Sequence, residues 1–242
     1  LKAEKSRNFS LGWVLQPLRN LNASIDAYQI DIDDRIVLSE NLAGTAAVRN
    51  FLAANAYPGV DGGRYFTNAI NTRTRGVDIV TSYHLDLGGA GATDLSLGYN
   101  HNHTDIRSIA ANPAQLSANG LSLNRIGRVE QGRITKGYPS DKLTLNADYN
   151  WSTWNLHGLL TRYGEFTVYN ADPTRDQTFS ANWVLDLAAT YRFKSVTITG
   201  GVDNVTDKYP DTVLWANSNS GSLPYSNSSP YGFSGRFFYA KL

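Results

Sequence analysis

An all-β chain of antiparallel up-and-down strands is predicted by three observations. Apolar residues recur with period two, no stretch carries a helical repeat, and the connections alternate between short and long. Composition narrows the class further. The 242 residues hold 22 Lys plus Arg against 21 Asp plus Glu, and a net charge of +1 leaves no electrostatic footprint for nucleic acid as a partner. With no Cys, disulfides, thiolate metal sites and Cys nucleophiles are excluded. No window approaches the ~18 consecutive apolar residues of a spanning helix. Spanning strands remain open, because alternation averages to an unremarkable mean hydropathy, here −0.34. The absence of Met leads to the expectation that Leu1 is not the start of the gene product and that any signal peptide lies upstream.

Phe9, Leu11, Trp13 and Leu15 alternate with Asn8, Ser10, Gly12 and Gln16, Val14 being the one apolar residue in the polar set. The next strand runs from about 22 to 36, its apolar phase moving from Leu21, Ala23 and Ile25 to Tyr28, Ile30 and Ile32, as at a bulge or a passage between environments. Val77, Ile79, Tyr83, Leu85 and Leu87 alternate with Asp78, Ser82, His84 and Asp86; Leu95, Leu97 and Tyr99 alternate with Ser96, Gly98 and Asn100. Leu143, Leu145, Ala147, Tyr149 and Trp151 alternate with Lys142, Thr144, Asn146, Asp148 and Asn150. A strand from 154 to 163 precedes Trp183, Leu185, Leu187, Ala189, Tyr191 and Phe193, which alternate with Asp186, Thr190 and Arg192. Strands over 196–204 and from about 235 complete nine, with no helical pattern between them. In the five cleanest strands every charge falls in the polar set, so one face is apolar and the other wet.

Short connections (16–20, 88–94, 151–153, 193–195) alternate with long ones (33–69, 105–141, 165–181, 208–234), so all tight turns fall at one end and all long loops at the other. That is the plan of a bacterial outer-membrane β-barrel, with tight periplasmic turns and long extracellular loops. On this plan Trp13, Trp151, Trp154, Tyr191 and Phe193 mark the inner interface, and Trp183 with Tyr99 the outer, as amphipathic rings do at headgroup level. A soluble β-sandwich also alternates, but has less reason to sort its loops by length. Nine strands leave two open edges and single-chain barrels use an even number, so further strands are expected upstream.

Several runs resemble the C-terminal part of the β-barrel of TonB-dependent outer-membrane receptors, over essentially residues 1–242. They are Glu4-Lys5-Ser6-Arg7-Asn8-Phe9, Ile25 to Ile36, Arg75-Gly76-Val77-Asp78, Asp203-Asn204-Val205-Thr206-Asp207, and Pro230-Tyr231-Gly232-Phe233 before Gly235-Arg236-Phe237-Phe238-Tyr239. Val205 and Thr206 depart from the family pattern, as does the final Leu242 where members end in an aromatic, so a few more residues are expected there. The resemblance implies an antiparallel up-and-down transmembrane barrel of roughly 22 strands, of which about nine are here. It also implies a plug domain and a TonB contact outside this sequence, a bacterial outer-membrane location with lipid around the wall, and import of a scarce ligand, most commonly a ferric siderophore, with TonB-supplied energy.

Candidate ligand-binding residues fall in the long loops. Arg64, Tyr65 and Phe66 stand with Arg49 in the first; Arg125 and Arg128 with Arg107 and Arg133 in the second; Tyr169 with Arg175 in the third; and Trp215 and Tyr225 with Tyr231 in the fourth. Arg offers forked donors to carboxylate, catecholate or phosphate oxygens, and aromatics stack on flat or sugar-like ligands. The bland alternative is that long loops always hold some Arg and Tyr. Asp78, Asp86, Asp148, Asp186 and Arg192 are assigned to the wet lumen wall, since Arg facing lipid at mid-bilayer costs about 2–4 kcal/mol. His101 and His103 share the apolar phase at the loop end and read as headgroup-level residues rather than a metal site. Asp31, Asp33 and Asp34 lack the Gly and the oxygen spacing of a calcium loop. No nucleophile has a base at diagnostic spacing, so no catalytic residue, metal or cofactor is assigned and the chain is read as a non-enzyme. The reading from another class is a soluble or surface-anchored carbohydrate-binding module.

Overall fold

A computed structural model describes residues 1–114 and 124–242. In chain order the strands are β1 (Lys5–Leu18), β2 (Leu21–Leu38), β3 (Leu42–Ala43), β4 (Gly62–Gly63), β5 (Phe66–Asp86), β6 (Ala92–Ile109), β7 (Asp141–Trp151), β8 (Trp154–Tyr163), β9 (Phe166–Val168), β10 (Gln177–Phe179), β11 (Asn182–Phe193), β12 (Val196–Asp203) and β13 (Phe237–Lys241). Nine of them form one antiparallel meander, β1-β2-β5-β6-β7-β8-β11-β12-β13, while β3-β4 and β9-β10 are small hairpins inside long loops. The nine predicted strands are thus all present.

Cross-strand pairing separates two faces. One row reads Leu15, Ala23, Thr81, Leu97, Leu145, Leu160 and Leu185, and is apolar apart from Thr81. On the opposite face Asp94, Asp148 and His157 lie side by side, as do Asp26, Asp78, Asn100 and Lys142. The apolar face is bare: Trp13 is 51% and Leu187 44% exposed, and among the described residues no second sheet covers it. A sandwich is excluded by that exposure. The buried cluster of Ala69, Ile70 and Ile126 sits instead at the long-loop end, where Ile106 and Ile134 pack against it.

Trp13 and Trp183 share a cross-strand row, yet lie five positions from the end of β1 and ten from the end of β11. Rows run perpendicular to strands that tilt about 35–45° in such barrels, so a single row climbs from one interface toward the other. Tight turns follow local chemistry. Ser152 (φ 53°) and Lys194 (φ 52°) take the left-handed conformation that two-residue hairpins demand. Asp86 Oδ1 accepts the Gly88 N–H at 2.8 Å to close the turn before β6.

Three expectations are corrected. Among the described residues two short helices stand in the long loops, α1 (Ala46–Ala54) and α2 (Arg128–Thr135), each too short to sustain a repeat in the sequence. Strands β2 and β5 run on to Leu38 and back to Phe66, so the first long loop is 39–65; above the apolar band Gln29, Asp31, Arg73 and Arg75 occupy the lipid-side face, and the apolar-out alternation that marks the band is lost. Of the two readings of the phase change in the second strand the bulge fails, because β2 keeps one register from Leu21 to Ile32, and the passage between environments stands, with Tyr28, Ile30 and Ile32 pointing to the wet side. The bulge comes later, between Ile32 and Ile36, around Asp34 at φ 56°.

Candidate functional site

The long loops hold one another through buried charge. Glu130, in the first turn of α2 and 5% exposed, accepts from Arg64 of the first loop and from Arg133 of its own helix at 3.1 Å. Burial raises its carboxyl above the usual carboxylate range, against the pull of Arg133 and Arg64. Arg64 also donates through Nε to Ser39 O at 2.9 Å. Arg125 donates to Thr67 Oγ1 at 3.1 Å and to Ala111 O at 2.7 Å. Arg128 grips Asp176 of the third loop with two bonds of 2.7 Å, donates to Asn170 O, and lies 4.9 Å over the Tyr169 ring. The Arg128 guanidinium and the Asn170 N–H hold the Asp176 carboxyl down at about 2. Third and fourth loops join where Gln177 donates to Thr212 O at 2.7 Å and Asn170 Nδ2 reaches Asn217 Oδ1 at 3.0 Å.

Among the described residues, two sizeable cavities open in this assembly. One, about 310 Å³, lies where the second, third and fourth loops meet, and Arg133, Tyr138, Tyr169, Asn227 and Ser228 are among its walls. Such a lining offers one cation, phenol faces and amide and hydroxyl groups. The other, about 450 Å³ and largely apolar, is enclosed by α1 and the β3-β4 hairpin, with Phe51, Tyr57, Arg64 and Tyr65 among its walls.

The structure therefore does not gather the eight loop candidates into one place. Arg64 and Tyr65 border the apolar cavity; Tyr169 borders the polar one. Arg125 spends its guanidinium on Thr67 of β5 and Ala111 of its own loop, and Arg128 on Asp176 and Asn170 of the third loop. Phe66 is exposed at the start of β5, Trp215 is 74% exposed, and Tyr225 stacks between Tyr209 and Phe233 at 6.1 and 5.9 Å. Tyr231 stacks on Tyr163 at 5.6 Å, and burial with nearby Asp211 pushes its phenol up to about 12. Arg133 entered the sequence reading only as a neighbour, and Tyr138, Asn227 and Ser228 not at all. For Arg133 the signal was the density of Arg around Glu130 between 125 and 133; no local pattern marks Tyr138, Asn227 or Ser228.

The lumen-wall residues all occupy the polar phase. Asp78 accepts from Asn100, Asp148 from Asn146 at 2.7 Å and His157 at 2.8 Å, and Asp186 takes the Asn204 N–H at 2.6 Å. Asp86 caps its turn, and Arg192 sits beside Thr197 near the tight-turn end. Of the acidic trio, Asp31 meets Arg73, Asp33 meets Arg7 and Arg107, and Asp34 meets Lys2.

The family described as TonB dependent receptor-like, beta-barrel, matches residues 1–205. No curated protein matches significantly. Among solved structures, the FrpB iron transporter from Neisseria meningitidis superposes with a TM-score of 0.62 at 14% identity, covering 99% of this chain and 32% of that one. The outer membrane transporter YddB from Escherichia coli gives 0.61 at 12%, covering 99% and 32%. The pyoverdine outer membrane receptor FpvA from Pseudomonas aeruginosa, bound to pyoverdine, gives 0.55 at 17%, covering 98% and 29%. The chain thus spans about a third of the length of these structures, and at such identity they show the fold. A bare apolar wall, a wet reverse, long loops at one end only and the family match over most of its length lead to one assignment: this chain belongs to the TonB-dependent receptor β-barrel family of the bacterial outer membrane.

Proposed function

We propose that residues 1–242 are the C-terminal part of the barrel of a receptor that captures a scarce ligand, a ferric siderophore, and imports it with energy supplied through TonB. The polar cavity of the interlocked loops carries this reading. Arg133 keeps Nη1 on Glu130 at 3.1 Å but is half-exposed and lines the cavity, so the rest of its guanidinium, with the Tyr138 and Tyr169 rings, suits a flat anionic chelate with catecholate or carboxylate oxygens. The plug and the TonB-contacting segment are partners outside this chain, and the Asp-rich reverse of the wall is the surface a plug would meet. Neighbours whose names specify iron, copper and pyoverdine support metal-chelate cargo.

Titration of the full-length receptor with a panel of ferric siderophores and oligosaccharides tests this. At least one ferric chelate is expected to bind, and Arg133→Ala with Tyr138→Ala to weaken it by roughly tenfold or more, the worth of a charge-assisted bond plus an aromatic contact. Binding of an oligosaccharide with no ferric chelate bound would replace the proposal with the carbohydrate reading.

A further inference from the structure

Above its apolar band the lipid-side face carries charge in a defined order. The row Arg7, Asp31, Arg73, Asp105 alternates in sign across β1, β2, β5 and β6, and Asp31 holds Arg73 with bonds of 2.6 and 2.9 Å. Arg107 and Arg7 share Asp33 at 3.2 and 3.1 Å, and Arg162 pairs with Asp141. One row closer to the apolar band stand Gln29, Arg75 and His103. Arg75 is exposed, donates Nε to Gln29 Oε1 at 2.9 Å, and meets no carboxylate among the described residues. His103 sends Nε2 to Asp105 at 3.1 Å, leaving Nδ1 free for a ligand. His101, exposed on the same face, has a ring without a partner among the described residues.

Directly below on the same face runs an apolar groove of about 470 Å³. Small residues Thr81, Ala147 and Gly158 form its floor, between Leu97, Leu145 and Leu185. On β6, His101 and His103 lie four and six residues beyond Leu97, or about 13–20 Å at 3.3–3.4 Å per residue. Half of a hydrocarbon core about 30 Å thick is of the same size.

We infer that β5, β6 and β7 form a binding site for one phosphate-bearing lipid of the outer leaflet, its phosphate on Arg75, His103 and His101 and an acyl chain in the groove. Charge complementarity favours this occupant. The remaining outward arginines of these strands are neutralised by the chain's own acids, whereas Arg75 keeps its fork for an outside oxyanion. The distance along β6 from Leu97 in the groove to His101 and His103 then places an acyl chain of the same molecule in the groove. This site rests on the outer-membrane placement of the wall and is independent of the siderophore proposal.

Native mass spectrometry of the full-length receptor, with no siderophore present, tests the inference against lipid A, dephosphorylated lipid A, phosphatidylcholine and inorganic phosphate. Lipid A is expected to be retained in preference to its dephosphorylated form and to phosphatidylcholine, whose single phosphodiester is neutralised by its own choline. Arg75→Gln is expected to weaken retention roughly fivefold, the worth of one cation near a lipid surface, with a further loss on adding His103→Gln. Thr81→Phe, which fills the groove from a lipid-exposed position, is expected to weaken it while heat-modifiable gel mobility stays that of the folded barrel. Equal retention of phosphorylated and dephosphorylated lipid, indifference to all three substitutions, or displacement by millimolar inorganic phosphate would each overturn the site.

Discussion

Glu130 and Asp176 are two carboxyls of one loop assembly with opposite dependence on pH. Asp176 is held near 2, below its ordinary 3.8, so its contribution is complete above 3.8 and disappears as pH falls toward 2. Glu130 is raised above 4.5 by burial, so the folded loops take up its proton more readily than the unfolded chain and are tightened as pH falls from neutral into that range. Hydrogen exchange at Asn170 and in α2, corrected for intrinsic rate, is therefore expected to slow from neutral toward 4.5 and to quicken again below 3.8. Glu130→Gln should flatten the first phase and leave the second. Arg64→Ala, which leaves a buried acceptor short of a donor, should cost the loops about 1–3 kcal/mol at neutral pH. If Glu130→Gln loosens the loops as much as Arg64→Ala, the carboxylate is a net stabiliser and this account of it fails.

Strands of the wall depend on where side chains cross the wet face. Tyr28 of β2 lies over Gly76 of β5, where an added Cβ would meet the Tyr28 ring at 2.3 Å and the His101 carbonyl at 2.8 Å. The backbone half of that clash cannot be relieved by a rotamer change. Gly98, on the same face of neighbouring β6, has nothing within 4 Å of its Cβ position. Gly76→Val is expected to impair assembly of the full-length barrel, read as loss of the heat-modifiable species on gels, while Gly98→Ala assembles normally. Equal behaviour of the two would remove the close approach as the reason for Gly76. The period-two pattern made these strands legible, but the Tyr28 contact was not: it needs the register of two strands whose paired positions are 48 residues apart. The short helices escaped for a different reason: in Ala46–Ala54 the apolar face is a single i, i+3, i+4 set, Val48, Phe51 and Leu52, which does not recur and so does not stand out as a repeat.

Taken whole, the wall is a boundary between two solvents, and neighbouring positions on one strand should respond oppositely to the same change. Leu145 and Thr144 are adjacent in β7 and face lipid and lumen respectively. Leu145→Arg is expected to cost about 2–4 kcal/mol in folding into lipid vesicles, whereas Thr144→Arg is expected to cost far less. Similar losses at both positions would show that the two faces do not meet different solvents. The sequence by itself determined the nine strands, their two faces and the sorting of loops by end, because each strand must satisfy lipid and water locally and writes that demand into alternate residues. Only the tertiary structure decided which loop arginines are spent on structure and which face a cavity. Arg64 meets Glu130 from 66 residues away and Arg128 meets Asp176 from 48, and such partners are chosen by how loops fold back over the mouth, which no local spacing encodes.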